Sequence, residues 1–358
     1  MSNLASTYRE QGRWDEAEKL FVDVIKELKV KLGLDHPDTL TSMGHLAFTY
    51  INQGRWDEAE KLEDIVLSAG KMKLGSDHPE TLTNMANLAY VYRKQGRWDD
   101  AEKLEIHVME AFKAKLGSDH PKTLTSMADV AHTYSDQGRW DEAEMLEVDV
   151  INARRVKLGS DHPDTLMSMA NLASTYGNQG KWNEAEMLFV NVTNARKLMV
   201  GSDHPDTLTS MVNLASIYGN QGKWDEAEKV EMDVMNGRKA NLGSDHPDTL
   251  TSMANLASTY RKQGKWEEAE KLFLSVIHTR RAKLGSDHPS TLISLSNLAS
   301  TYTISPEHVV CSHIRCDFEI SYYKCQKSLV WKSHLLRLPL QLLPHRASSL
   351  TYDPHSHL

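Results

Sequence analysis

The sequence predicts an all-α fold, an α-solenoid of stacked antiparallel helix pairs. Three observations predict it: a 42-residue self-similarity without insertions, two apolar helical faces in each unit, and a turn signal between them. Trp14, Trp56, Trp98, Trp140, Trp182, Trp224 and Trp266 fall 42 residues apart, and so do the histidines from His36 to His288 and the tyrosines from Tyr8 to Tyr302. A unit of this length cannot bury its own apolar face, so neighbours stack into one continuous core.

Each element follows from one unit, residues 75–116, GSDHPETLTNMANLAYVYRKQGRWDDAEKLEIHVMEAFKAKL. Leu82, Met85, Leu88, Ala89 and Tyr92 recur at helical spacing and predict the first helix. KQGRW then interrupts, with the turn at Gly96, and Trp98, Ala101, Leu104, Val108 and Ala111 predict the second, ending at Gly117. Pro79 suits the first helical position, because its missing N–H had no helical partner. The residue before a proline is pushed away from α conformation, which places His78 outside the helix. Ser76 and Asp77 are expected to offer oxygens to the free N–H groups, and Gly75 to close the preceding helix in a left-handed conformation.

The stretch GSDHPDTL at 159–166, with copies or near-copies at every other unit, also sets serine, aspartate and histidine side by side. A catalytic triad needs side chains converging from separated positions, whereas Ser160, Asp161 and His162 are adjacent. One metal ion needs ligands at roughly 2 Å, and equivalent positions on stacked helices lie about 8–10 Å apart. The motif therefore reads as a helix stop followed by a helix start. The acidic run WDEAE has a similar reading: Asp57, Glu58 and Glu60 sit in a first turn, where the helix dipole favours negative charge. Arg280, Arg281 and Lys283 lie near the opposite end, and the tryptophan stripe reads as core between paired helices.

Charge and composition narrow the function. The chain carries a net charge of −8; six basic and four acidic residues fall at 303–358, leaving −10 on residues 1–302. That is the wrong sign for a phosphate-backbone binder, so nucleic acid is not an expected partner. No stretch is long and apolar enough for a bilayer span, and the N-terminal residues lack a secretory pattern. All three cysteines stand at or after Cys311, which suits a reducing, cytoplasmic location. Residues 1–302 contain no phosphate loop, no metal-ligand spacing and no unique nucleophile. No enzyme activity and no cofactor are expected.

Two helices per unit with NLASTYxxQGKWxEAEKL resemble the tetratricopeptide (TPR) repeat, whose small, tyrosine, glycine and alanine positions match Ala257, Tyr260, Gly264 and Ala269. The 42-residue unit with LGSDHPDTL is similar to the variant of kinesin light chains and to the TPR arrays often attached to nucleotide-binding receptor domains. The resemblance implies a right-handed superhelix over residues 1–302, about seven units with partial units at both ends, whose first helices line a concave groove that binds peptides or partner helices. It implies an interaction scaffold; the alternatives are a kinesin-light-chain-like cargo adaptor and the recognition array of a larger nucleotide-binding receptor protein of which this chain is a fragment. Copies should agree where the fold demands a residue and diverge where it does not. Phe48 and Tyr90, then Arg93 and Arg261, then Lys94 and Lys262 occupy divergent positions that the family geometry puts at or beside the groove. Asn87, Asn171, Asn213 and Asn255 could hydrogen-bond an extended peptide backbone. Two pockets are thus expected, one around Phe48, Asn87, Tyr90, Arg93 and Lys94, the other around Asn255, Arg261 and Lys262. Both suit an acidic or aromatic-acidic peptide, because arginine pairs well with carboxylates.

The two ends break the pattern. Met1 aligns with Met43, Met85 and their later equivalents, so the chain is expected to begin inside a helix, as a piece of a longer protein would. After Tyr302 the repeat stops, and residues 303–358 read as a poorly ordered, non-repeat tail. His308, Cys311, His313 and Cys316 could be drawn as zinc ligands, but their crowded spacing matches no familiar finger, and no metal is expected.

Overall fold

The computed structural model describes residues 2–304, and every regular element among them is an α-helix. The helices are α1 (Ser2–Glu10), α2 (Trp14–Leu32), α3 (Pro37–Asn52), α4 (Trp56–Leu74), α5 (Pro79–Lys94), α6 (Trp98–Leu116), α7 (Pro121–Asp136) and α8 (Trp140–Leu158). They continue as α9 (Pro163–Asn178), α10 (Trp182–Val200), α11 (Pro205–Asn220), α12 (Trp224–Leu242), α13 (Pro247–Gln263), α14 (Trp266–Leu284) and α15 (Pro289–Ile304). The chain divides into two compact units, Met1–Ser252 and Met253–Leu358. In the first, each helix from α1 to α12 packs on the next; in the second, α14 packs on α15. Both are stacked helix pairs, as the repeat predicts. The tail beyond Ile304, with His308, Cys311, His313 and Cys316, lies outside the described residues.

The core follows the predicted faces. Leu82, Met85, Leu88, Val108 and Phe112 are buried together with Leu67, and Tyr92, Leu104 and Ala111 pack against them. Burial of each such large apolar side chain contributes about 1.5–3 kcal/mol. The tryptophans sit at the edge of the core and not at its centre. They open the second helix of each unit and stay half-exposed, with Trp98 and Trp140 the most open. Their rings cover the last turn of the preceding helix: a Cβ placed on Gly219 would lie 3.3 Å from the Trp224 ring. Trp56 and Trp182 also pack against buried core clusters, so the ring lies at the edge of the core as well as over the turn.

The stop-and-start motif works through different atoms from those predicted. The cap of α5 is His78 itself, whose Nδ1 accepts the Glu80 backbone N–H at 3.3 Å; His36, His120, His162 and His204 do the same for their helices. Ser76 and Asp77 form the turn and leave the cap to the imidazole. Extended backbone at His78 (φ −66°, ψ 139°) aims the ring back over the first turn, as an N-cap requires. Gly75 has φ 87° and ψ 162°, a region almost confined to glycine, which is stricter than the left-handed helical conformation expected. The buried Thr123 hydroxyl donates to the Gly117 carbonyl at 2.8 Å, and Thr39 and Thr207 repeat that bond, so in these units the threonine ties the start to the stop before it; the Thr81 and Thr165 hydroxyls make no such bond.

The other turn is a Schellman motif. Gly96 N–H donates to the Arg93 carbonyl at 3.0 Å and Arg97 N–H to the Tyr92 carbonyl at 2.9 Å. Its side chains then join successive units. Gln95 donates to Asp57 and Glu60, and Arg97 reaches Glu60 at 2.7 Å; Gln137 and Arg139 repeat this on Asp99 and Glu102. WDEAE is therefore an inter-unit staple as well as a helix start. Spacing within one unit cannot show a bond made between units.

Candidate functional site

Two adjoining cavities of about 450 and 360 Å³ are lined by α3, α4 and α5, the smaller one also by α6 and α7. Both share Gly44, Phe48 and Asn87, so they form one continuous groove. Its room comes from two small residues. Gly44 stands where later units carry Ala86, Ala128, Ala170 and Val212, and a Cβ there would meet nothing within 4 Å. Gly70 stands where other units carry Leu28, Phe112 or an arginine. Part of the space it leaves is taken by Asn84, which replaces the serine of the other units: a Cβ on Gly70 would lie 3.5 Å from Asn84 Nδ2 and 3.3 Å from Thr81 Oγ1.

Phe48 and Tyr90 keep 47% and 36% of their surface open in this groove, large apolar area left uncovered beside polar groups. Beneath them the floor of the second cavity is acidic. Glu63, Glu105 and Asp129 line it with a single arginine, Arg93. Arg93 Nε lies 3.4 Å from Glu105 Oε1, with the two side chains 11% and 3% exposed. Thr133 donates a 2.5 Å hydrogen bond to the other Glu105 oxygen. Burial still raises the Glu105 carboxyl to about 7, against the pull of Thr133 and Arg93. Burial raises Glu63 further, to about 8, with Asp64 adding to it. Burial also raises Asp129, which Arg93 and Arg154 pull back down.

The sequence-predicted residues fall into three groups. Phe48, Asn87, Tyr90 and Arg93 come together at the second cavity. Lys94 is not part of its lining; its Nζ sits 5.1 Å from the Tyr90 ring centre, over a ring already shared with Arg93. Asn171 on α9 and Asn213 on α11 are half-buried at the register of Asn87. Asn255, Arg261 and Lys262 share α13; Lys262 is exposed, while the Arg261 Nη1 lies 3.5 Å from the Asn297 carbonyl oxygen. Both arginines that favoured an acidic ligand thus already face acceptors of this chain. Sequence reasoning missed Gly44, Gly70, Glu63, Glu105 and Asp129. A signal existed for the glutamates: the column reads Phe21, Glu63, Glu105, Glu147, Phe189, Glu231, Phe273, placing carboxyls where other copies bury phenylalanine.

The comparisons with known proteins agree with this architecture. A profile described as tetratricopeptide repeat matches residues 1–64, 44–114, 80–155, 206–282 and 255–305, and a second of the same description matches 165–206. A kinesin-light-chain-type protein of nearly identical TPR-like repeats from Podosopora anserina is 30% identical, with 57% of this chain and 97% of that one covered and a TM-score of 0.51. BtubC (BKLC) from P. vanneervenii is similar at 19% identity over 70% of this chain and 94% of that one, TM-score 0.52. A signal-transduction ATPase with a tetratricopeptide repeat sensor from Pyrococcus horikoshii is similar at 15% identity, TM-score 0.63, over 93% of this chain and 48% of that one. The last two are likenesses of fold. No curated protein matches the sequence.

Proposed function

This chain belongs to the tetratricopeptide repeat family, a family of protein-interaction scaffolds, and from that premise we propose that it holds an extended peptide in the groove of α3, α5 and α7. The observation that carries the reading is the pair of adjoining cavities that leave Phe48 and Tyr90 uncovered around Asn87. Aromatic rings at the centre of a pocket supply contact area, and the asparagine side chain offers a donor and an acceptor to a peptide bond. The cavities are also of the size that ordinary ligand pockets reach, about 300–1,000 Å³.

A random-peptide display selection on the intact chain tests this. Selected peptides should lose roughly tenfold or more in affinity with Phe48→Ala combined with Tyr90→Ala, each truncation removing an aromatic anchor. Unchanged binding by the double variant would remove the groove from consideration. A cargo-adaptor role is the second reading, favoured by the 30% identity to the Podosopora anserina protein with its nearly identical repeats. Capture of the same protein cargo by both chains would support it.

A further inference from the structure

We propose that the second cavity accepts a basic side chain, lysine or arginine, of the bound peptide, its cationic end meeting the Glu63 carboxyl between Phe48 and Tyr90. The proposal rests on the groove reading above and names the chemistry of its ligand. Glu63 is 1% exposed, and its Oε2 has no hydrogen-bond partner. The lack has a local cause. Glu105 receives the hydroxyl of Thr133, twenty-eight residues on. The residue at the same step from Glu63 is Val91, fully buried and without a donor. A buried carboxyl oxygen without a donor is costly, so a group that brings N–H donors there gains more than the same contact in water.

Charge selects the ligand. Three carboxyls, Glu63, Glu105 and Asp129, surround one guanidinium, and that guanidinium faces Glu105. A peptide carboxylate would be the fourth acid in the cavity; a cation would be the second positive group. The entrance fits the same ligand, since a lysine or arginine stem packs on apolar surface and the head is attracted to aromatic faces. Binding would also ionise Glu63. With its carboxyl held near 8, the empty site carries a proton at neutral pH that an arriving cation displaces. Glu63 is faced by Asp64, Glu105, Asp129 and Arg93, the titratable and charged groups of the neighbouring turn and cavity.

The test is peptide display on the full chain, followed by synthesis of the strongest binder and of its copy with each basic residue replaced by glutamine. We expect selected peptides to share an Arg or Lys at one position, and its loss to weaken binding about tenfold on the native chain. On Glu63→Phe the same loss should have no effect. That variant places at residue 63 the side chain that Phe21, Phe189 and Phe273 already bury, so it preserves the fold. Glu63→Gln, nearly isosteric, checks the result with neutral charge. Calorimetry in buffers of different ionisation enthalpy should show proton release by the native chain at pH 7 and clearly less by Glu63→Phe, in which Glu105 is the remaining carboxyl that titrates near 7. Peptides selected for Asp or Glu, or binders indifferent to Glu63→Phe, would overturn the basic ligand and leave the groove standing. An empty selection would remove both.

Discussion

In α8, α10 and α12 an arginine of the second helix crosses to the next helix: Arg154 to the Asp164 carbonyl and the Ser168 hydroxyl, Arg196 to Asp206 and Ser210, Arg238 to Asp248 and Ser252. In α2, α4 and α6 the same position holds Leu28, Gly70 and Phe112. The later stretch is thus strapped by charge-assisted bonds, and the earlier one is either filled by apolar volume or, at Gly70, left open as the larger cavity. The neighbouring column does not follow this division, since Glu147 and Glu231 stand in the later stretch and Phe21 in the earlier one, but it offers one clear pair. Phe189 packs on Ile217 in the later stretch, while Glu63 sits beneath an open groove in the earlier one. Positions that the stack does not fix are free to become a site, because the turns and the inter-unit staple hold the register by themselves.

Three variants test the contrast, beginning with the largest effect. Phe189→Glu places a carboxyl opposite Ile217, with no hydroxyl to receive it, and should cost about 3–5 kcal/mol. Urea melts with hydrogen exchange on α10 and α11 would read this; a loss below about 1 kcal/mol would mean that the phenylalanine and glutamate copies are interchangeable. The exchange measurement matters because an array of repeats opens locally.

Glu63→Phe should have the opposite sign, stabilising by about 1–3 kcal/mol at pH 8, since each unit of pKa displacement corresponds to about 1.4 kcal/mol. The sign follows from proton counts. The unfolded chain releases the Glu63 proton above its ordinary value of 4.5, whereas the folded chain keeps it up to about 8. The favourable contribution is therefore complete below about 4.5 and is lost as pH rises through 8. Glu105 and Glu147, both raised to about 7 by burial, add the same slope. Native stability should fall between pH 5 and 8, and Glu63→Phe should flatten that fall. A profile independent of residue 63 would show that its carboxyl is hydrated.

The smallest effect comes from closing the cavity. Gly70→Arg with Asn84→Ser rebuilds the arginine strap of the later units, the serine making room for the new side chain. Helix propensity alone favours the arginine by nearly 1 kcal/mol over glycine, so a gain of about 1 kcal/mol should accompany loss of groove binding. Retained binding by this variant would place the ligand in the Glu63 cavity alone.

Much of the fold was legible because it depends on periodicity and local stereochemistry. Tyr92, Gly96 and Trp98 marked the turn, and Pro79 marked the start of a helix, from their own backbone preferences. Divergence between copies, which reports where packing makes no demand, pointed to Phe48, Tyr90 and Arg93, and the amide of Asn87 pointed to the fourth residue that lines the second cavity. Lys94 lies outside that lining because one residue further along a helix turns a side chain by about 100°. Glu63 and Glu105 went unread because a glutamate in a helix is ordinarily solvated, and only the column of copies marks it as buried.

By itself the sequence determined the all-α repeat, the helix boundaries and the glycines at the turns, since each follows from residues close together in the chain. Tertiary structure decided which atoms do the work. The histidines cap the helices, the acidic residues of one unit bind the next, Arg93 is turned toward Glu105, and Glu63 is left beside Val91 without a donor. The histidine cap reaches only two residues along the chain, but the other outcomes depend on partners 12 to 38 residues away, brought together by stacking, and a side chain's charge does not reveal whether a neighbouring unit has already engaged it.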